Sequence, residues 1–257
     1  MSPKTPRTFH FHACAHAFSA NFTRPFHHQI DIQAQSALPV IGGHGHARVD
    51  AFEFRSFISF KQGYSHVSGG HQADDDTHNT LATAVLEGLN MFDVLTVDRV
   101  VSRLYSKHHA DKKEGNITWV GSKFENLRIA GCEVHLELNH NVFADLLTFE
   151  AAESAFKKGG DFRKIAEDPL GTGNALKPAD VDGAFLCSIV KNIRVDCPGV
   201  KVHRHSLYVP GFGKVFLGEL LIKPSEKTLT MLRFELGSTT SGGGTGGGTK
   251  TNGRPYP

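Results

Sequence analysis

The chain has 257 residues, 39% of them hydrophobic, with 28 basic side chains against 26 acidic. That is enough apolar material for one large domain with a buried core, and it excludes wholesale disorder. The near cancellation of charge argues against a general electrostatic grip on nucleic acid or a membrane surface, and no apolar run approaches the ~18 residues of a membrane helix.

The pattern opens with strands. Between Phe9 and Phe18, alternation sets Phe9, Phe11, Ala13, Ala15 and Ala17 on one face and His10, His12, Cys14, His16 and Phe18 on the other. The histidines break the continuous apolar stretch that a secretory signal requires, so the default expectation is a cytoplasmic protein, with the cell surface open by another route. Gln29–Gln35 alternates again before Pro39 and Gly42-Gly43, and the Phe-rich stretch from Ala47 to Phe60 suits one or two more strands. Ser68–His78 reads as a polar loop. Its Asp74-Asp75-Asp76 core, flanked by His71 and His78, lacks the spacing of a calcium loop and reads as a solvated turn.

Thr80–Ser106 alternates only weakly, and its second half (Val97, Val100, Val101, Leu104) fits a helix as well as a strand. Asn116–Leu138 is strand–turn–strand around Ala130-Gly131. A helical insertion is expected near residues 141–168: Val142, Phe143, Leu146, Leu147 and Phe156 form a stripe, Gly159-Gly160 a stop, and Asp161 the cap of a short second helix ending before Pro169. After a polar linker, Gly171–Asp182, strands resume, with a hairpin of Lys214–Lys223 and Thr228–Leu236 around Pro224–Lys227. These elements predict a single β-rich domain over residues 1–237. Residues 238–257 form a Gly/Thr-rich tail with no core-forming pattern, expected to be flexible or held by a partner.

The fold class is therefore mainly β, an antiparallel β-sandwich or barrel-like architecture with a short helical insertion. Val85–Met91, Lys123–Ile129 and Ile189–Val195 share an apolar–charge–Gly/Asn–apolar pattern, which implies a duplicated unit with a bulge or kink at each Gly or Asn. The four cysteines, Cys14, Cys132, Cys187 and Cys197, are scattered; the expectation is reduced thiols packed as small hydrophobes, with a Cys187–Cys197 bridge across one hairpin as the alternative.

Glu87-Gly-Leu-Asn-Met-Phe-Asp-Val-Leu-Thr-Val-Asp98, followed by Gly121-Ser-Lys-Phe-Glu-Asn-Leu-Arg-Ile-Ala-Gly131, resembles a strand pattern of bacterial β-proteins of the choice-of-anchor type, with Val97 where that pattern has Ala. The resemblance implies an all-β architecture and a surface or structural setting. It brings no catalytic residues with it.

Three His-x-His pairs carry the main chemical signal: His10/His12, His44/His46 and His203/His205. On a strand, side chains two apart point the same way at about 6.5–7 Å, a spacing at which two imidazoles can share a zinc, copper or iron ion. Cys14 and His16 extend the first pair into a row of four, which His44/His46 on a neighbouring strand would complete. There is no G-x-S-x-G elbow and no H-E-x-x-H run. The Gly-rich tail lacks the strand and helix of a phosphate loop.

Two functional expectations follow. The first is a non-enzymatic structural or binding protein that self-associates into a homo-oligomer through edge strands and terminal segments, without nucleic acid and without a transmembrane segment. The alternative is a metal-dependent hydrolase or oxygen-using enzyme with the His-x-His pairs as ligands.

Overall fold

The computed structural model describes residues 8–169, 183–237 and 240–256. The expected linker Gly171–Asp182 lies outside them. Strands account for 64% and helices for 9% of the chain, arranged as two open antiparallel sheets in a β-sandwich-like fold with a short helical insertion. The barrel-like alternative is thereby set aside.

Long hairpins supply most of the strands: β1 (Thr8–Arg24), β2 (His28–Gln33), β3 (Ser36–Ala37), β4 (Gly43–Phe54), β5 (Ile58–Gln72), β6 (Thr77–Met91) and β7 (Leu95–His109). Short pieces follow: β8 (Asn116–Thr118), β9 (Lys123–Glu125), β10 (Arg128–Ile129) and β11 (Cys132–Leu138). After the insertion come β12 (Phe185–Ser188), β13 (Val190–Val195), β14 (Lys201–His203), β15 (Ser206–Val209), β16 (Gly213–Lys223), β17 (Glu226–Leu236) and β18 (Ser241–Tyr256). The first sheet runs β14-β15-β16-β17-β18-β1-β2, with β12 beside β16 and β3 beside β1. The second runs β13-β11-β10-β7-β6-β5-β4, with β8 and β9 beside β7.

Local chemistry explains the turns that the sequence showed. Ala130 and Gly131 both take positive φ, as a tight hairpin turn requires, and Pro224-Ser225 alone joins β16 to β17. Two other regions differ from expectation. The polar loop from Ser68 shrinks to residues 73–76, because strand pairing continues out to Gln72 opposite Thr77. Residues 80–106 are entirely hairpin, with Phe92 and Asp93 at positive φ in its turn.

The weak alternation of that hairpin has a structural cause. Ala51, Lys61, Gly88 and Asp98, on β4 to β7, drop out of the ladder side by side. Gly218, Met231, Gly247 and Ala17 do the same across β16, β17, β18 and β1. Every second strand crosses this crease with a left-handed residue: Ala51 (φ 50°), Gly88 (64°), Gly218 (62°) and Gly247 (65°). At each crossing the inward set shifts by one residue. Thus β1 buries Phe9, Phe11, Ala13 and Ala15 before the crease and Phe18, Ala20 and Phe22 after it. Of the three suspected repeat positions, Gly88 and Asn126 have positive φ and Asn192 does not.

The Gly-rich tail is the largest departure from expectation. It forms β18, paired along its length with β1 on one side and β17 on the other. Its glycines make room for neighbours' rings: a Cβ on Gly244 would lie 2.5 Å from Phe234 Cζ, and one on Gly248 2.1 Å from His16 Cε1. Cys14 and Cys187 are free thiols as expected, Cys187 packed in the core, but the other two cysteines depart from expectation. Cys132, at the start of β11, and Cys197, two residues past the end of β13, form a disulfide, while Cys187 lies on β12 in the opposite sheet and is free.

The insertion comprises α1 (His140–Phe143), α2 (Phe149–Lys158) and α3 (Asp161–Glu167). The expected single first helix is broken because its middle carbonyls have tertiary partners: Leu146 O accepts from Lys227 Nζ and Leu147 O from the Ile117 amide. Thr148 then caps α2, accepting from the Ala151 amide at 3.1 Å, and Glu114 accepts from the Phe149 amide at 2.8 Å. Gly159, at φ 84°, ends α2, and Gly160 rather than Asp161 occupies the cap of α3. Phe149, Phe156 and Phe162 pack the insertion onto Phe185 of β12. Among the described residues, no helix is long and apolar enough to cross a membrane.

Candidate functional site

The residues expected to bind metal fall in separate places. His10, His12, Cys14 and His16 occupy the outer face of β1, as the alternation required. Cys14 faces Lys250, whose ammonium pairs with Glu226 at 3.0 Å; burial raises the thiol pKa, with Lys250 opposing. His16 lies across Gly248 with Nε2 3.3 Å from Thr245 Oγ1, and burial lowers its pKa. His44 and His46 are exposed on β4, in the other sheet, and His46 stands opposite His66. His203 is exposed on β14, whereas His205 is buried. Among the described residues, no three His, Cys, Asp or Glu side chains are placed to hold a metal ion.

His205 belongs instead to a buried ion cluster. Its Nε2 lies 3.3 Å from Glu219 Oε1, and Arg233 donates to both carboxylate oxygens, at 2.6 and 2.8 Å. Burial alone would raise the Glu219 pKa, but the bonds from Arg233 and His205 outweigh it and hold the pKa at about 2. The Arg233 guanidinium also covers the Phe216 ring at 3.6 Å. On the inner face, Lys227 is buried and donates to Ile117 O (2.8 Å) as well as Leu146 O, tying the insertion to the sandwich; burial lowers its pKa to about 8. Nearby, burial pushes the Cys187 thiol up to about 12.

A second group, which the sequence did not show, is a row of imidazoles on the inner face of one end of the sandwich. His71, His78 and His108 are consecutive cross-strand neighbours on β5, β6 and β7. Phe9 stacks on His78 at 4.1 Å and lies 5.1 Å from His108. His108 is 1% exposed, with the backbone of Lys113 and His109 beside its ring. The only sequence signal was the placement of His71 and His78 on either side of a turn; His108 joins them through strand register alone.

The feature best disposed to bind something is the edge formed by β4. This strand pairs with β5 and ends the sheet, so among the described residues its other side carries unpaired backbone groups over 12 residues. Its outer face presents His44, His46, Arg48 and Asp50; its inner face half-buries Ala47, Val49, Phe52 and Phe54. Phe52 stacks on Phe60 at 4.8 Å and Phe54 on His28 at 4.3 Å, which holds the strand to the body. Just before it, Val40 and Ile41 are 56% and 89% exposed, two of the seven exposed large apolar side chains among the described residues. By contrast, the terminal strands β1 and β18, expected to serve as contact surfaces, are interior to their sheet.

An open two-sheet sandwich, with the long β4 at a sheet edge among the described residues, defines the class of protein: an all-β sandwich with a short helical insertion. Within that class the chain belongs to the family described as a domain of unknown function, DUF8256, which matches residues 9–223. The match ends with β16, so β17 and β18, which complete the first sheet between β16 and β1, lie beyond it. Comparison with curated proteins and with solved structures finds no match.

Proposed function

We propose that this protein is a non-enzymatic structural or binding sandwich that works as a homo-oligomer, with the β4 edge as its contact. The observation carrying this reading is the coincidence of 12 residues of edge strand with the exposed Val40 and Ile41 beside it. Unpaired strand edges favour strand addition, and contiguous exposed apolar side chains add area to such a contact. The Cys132–Cys197 disulfide supports an oxidising setting, outside the reducing cytoplasm, in line with the surface or structural setting that the resemblance of residues 87–98 and 121–131 implies. Sedimentation velocity on the purified chain over a hundredfold concentration range tests the proposal. Concentration-dependent association is expected, and a single monomeric species throughout would end it.

A further inference from the structure

The charge pattern of the β4 edge selects its partner and register. Arg48 and Asp50 flank Val49 on the outer face, their side chains 61% and 62% exposed, and within one chain they already pair at 2.9 Å. We propose that two copies of this chain pair β4 to β4 antiparallel about a two-fold axis at Val49, a register that rests on the self-association proposed above. With the axis there, Arg48 of each copy faces Asp50 of the other, so two opposite-charge pairs replace the two intrachain ones across a continuous sheet. An axis at Arg48 would set two guanidinium groups face to face, and one at Ala47 would oppose His46 to Arg48. The axis at Val49 is therefore the self-complementary one. Val49, half-buried on the inner face, meets its own copy there and extends the interior from one sandwich to the next. Ala51, at φ 50°, creases the strand just beyond this point without changing its register, and because the two-fold uses the same patch on both copies the pair is closed and cannot grow into a fibre.

The test is equilibrium sedimentation of the full chain and of R48D, D50R and the double swap R48D/D50R, with melting curves to verify folding. Each single variant turns two attractive cross-strand pairs into two repulsive ones and should weaken the dimer about tenfold; the double swap should restore it to within about threefold of wild type. Val49→Cys should also form an interchain disulfide on mild oxidation, because the two-fold places the two thiols opposite each other. A wild-type dimer indifferent to both single swaps, or one that the double swap does not rescue, overturns this register while leaving self-association standing. A wild-type chain that never dimerises overturns both.

Discussion

Two corners of the sandwich on either side of the crease, where β1 faces β5 and β6, are built from the same strands and filled in opposite ways. One end is packed with large side chains: Phe18, Phe22, Phe60, Leu89, Met91, Leu95 and Phe234. The other has a separate core of Phe9, Phe11, Ala13, Ala15, Leu38, Val67, Ala82 and Ala84, interleaved with buried hydroxyls. Four of those hydroxyls pair between layers, Ser65 with Ser36 and Ser102 with Thr249, each at 2.7 Å. Small side chains bring the sheets close: a Cβ on Gly63 would lie 2.8 Å from Ala17 Cβ, and one on Gly69 2.6 Å from Leu38 Cδ2. The lesson is that the large end is held by apolar area and the small end by close fit between the sheets, so they should fail under different insults.

Removing volume at the large end should produce the largest effect. Phe22 is fully buried, with Phe26, Phe54, Phe57 and Phe92 within aromatic contact. Phe22→Ala should cost about 3–5 kcal/mol, read as a lowered urea midpoint with little change in slope. A loss under about 1 kcal/mol would mean that this end is not the main apolar core.

Adding volume at the small end comes next. Gly63→Ala should cost about 1–3 kcal/mol, since backbone on both sides fixes the Ala17 contact and neither sheet can give way locally. The same calorimetric scan that registers this loss should show Gly131→Ala, in a turn with nothing within 4 Å of its Cβ, failing through its φ of 81° instead. If Gly63→Ala is neutral, the sheets are further apart than they stand here.

This contrast also explains what the sequence made legible. The outward row His10–His16 and the turns at Ala130-Gly131 and Pro224-Ser225 were readable because each depends on local periodicity or φ preference alone. The strand character of residues 80–106 was obscured, since the inward set slips at Gly88 and again at Asp98 and a two-residue period cannot run through. The β18 strand was invisible for a different reason. Strands are recognised by their own side chains, whereas Gly244 and Gly248 contribute space that Phe234 and His16 fill. The disulfide and the β4 edge depend on which strands become neighbours, and that information is non-local: Cys132 and Cys197 are 65 residues apart. Two of the His-x-His pairs, His10/His12 and His44/His46, do share a strand face, whereas Arg204 turns the chain between exposed His203 and buried His205.

The smallest effect expected is a pH response confined to the small end. Burial lowers the pKa of both His78 and His108 from the ordinary 6.5; the like charges of His71 and His108 add to the effect at His78, while the backbone of Lys113 and His109 partly opposes it at His108. A native pKa below the unfolded one means that the unfolded chain binds more protons, so this contribution to stability is complete above about pH 6.5 and falls away as the pH drops towards the native value. The groups around the row include Asp76, which holds His71 Nε2 at 3.0 Å, Asp75, which accepts from Lys107, and the exposed Asp111. Glu219, held at about 2, gives a second and separate loss only below about pH 4.5. His108→Phe should therefore flatten the stability profile between pH 7 and 5 and leave the lower-pH loss unchanged, as urea titrations at stepped pH would show. An unaltered slope in that upper window would mean that His108 is not excluded from water, and that the small end opens more readily than its packing implies.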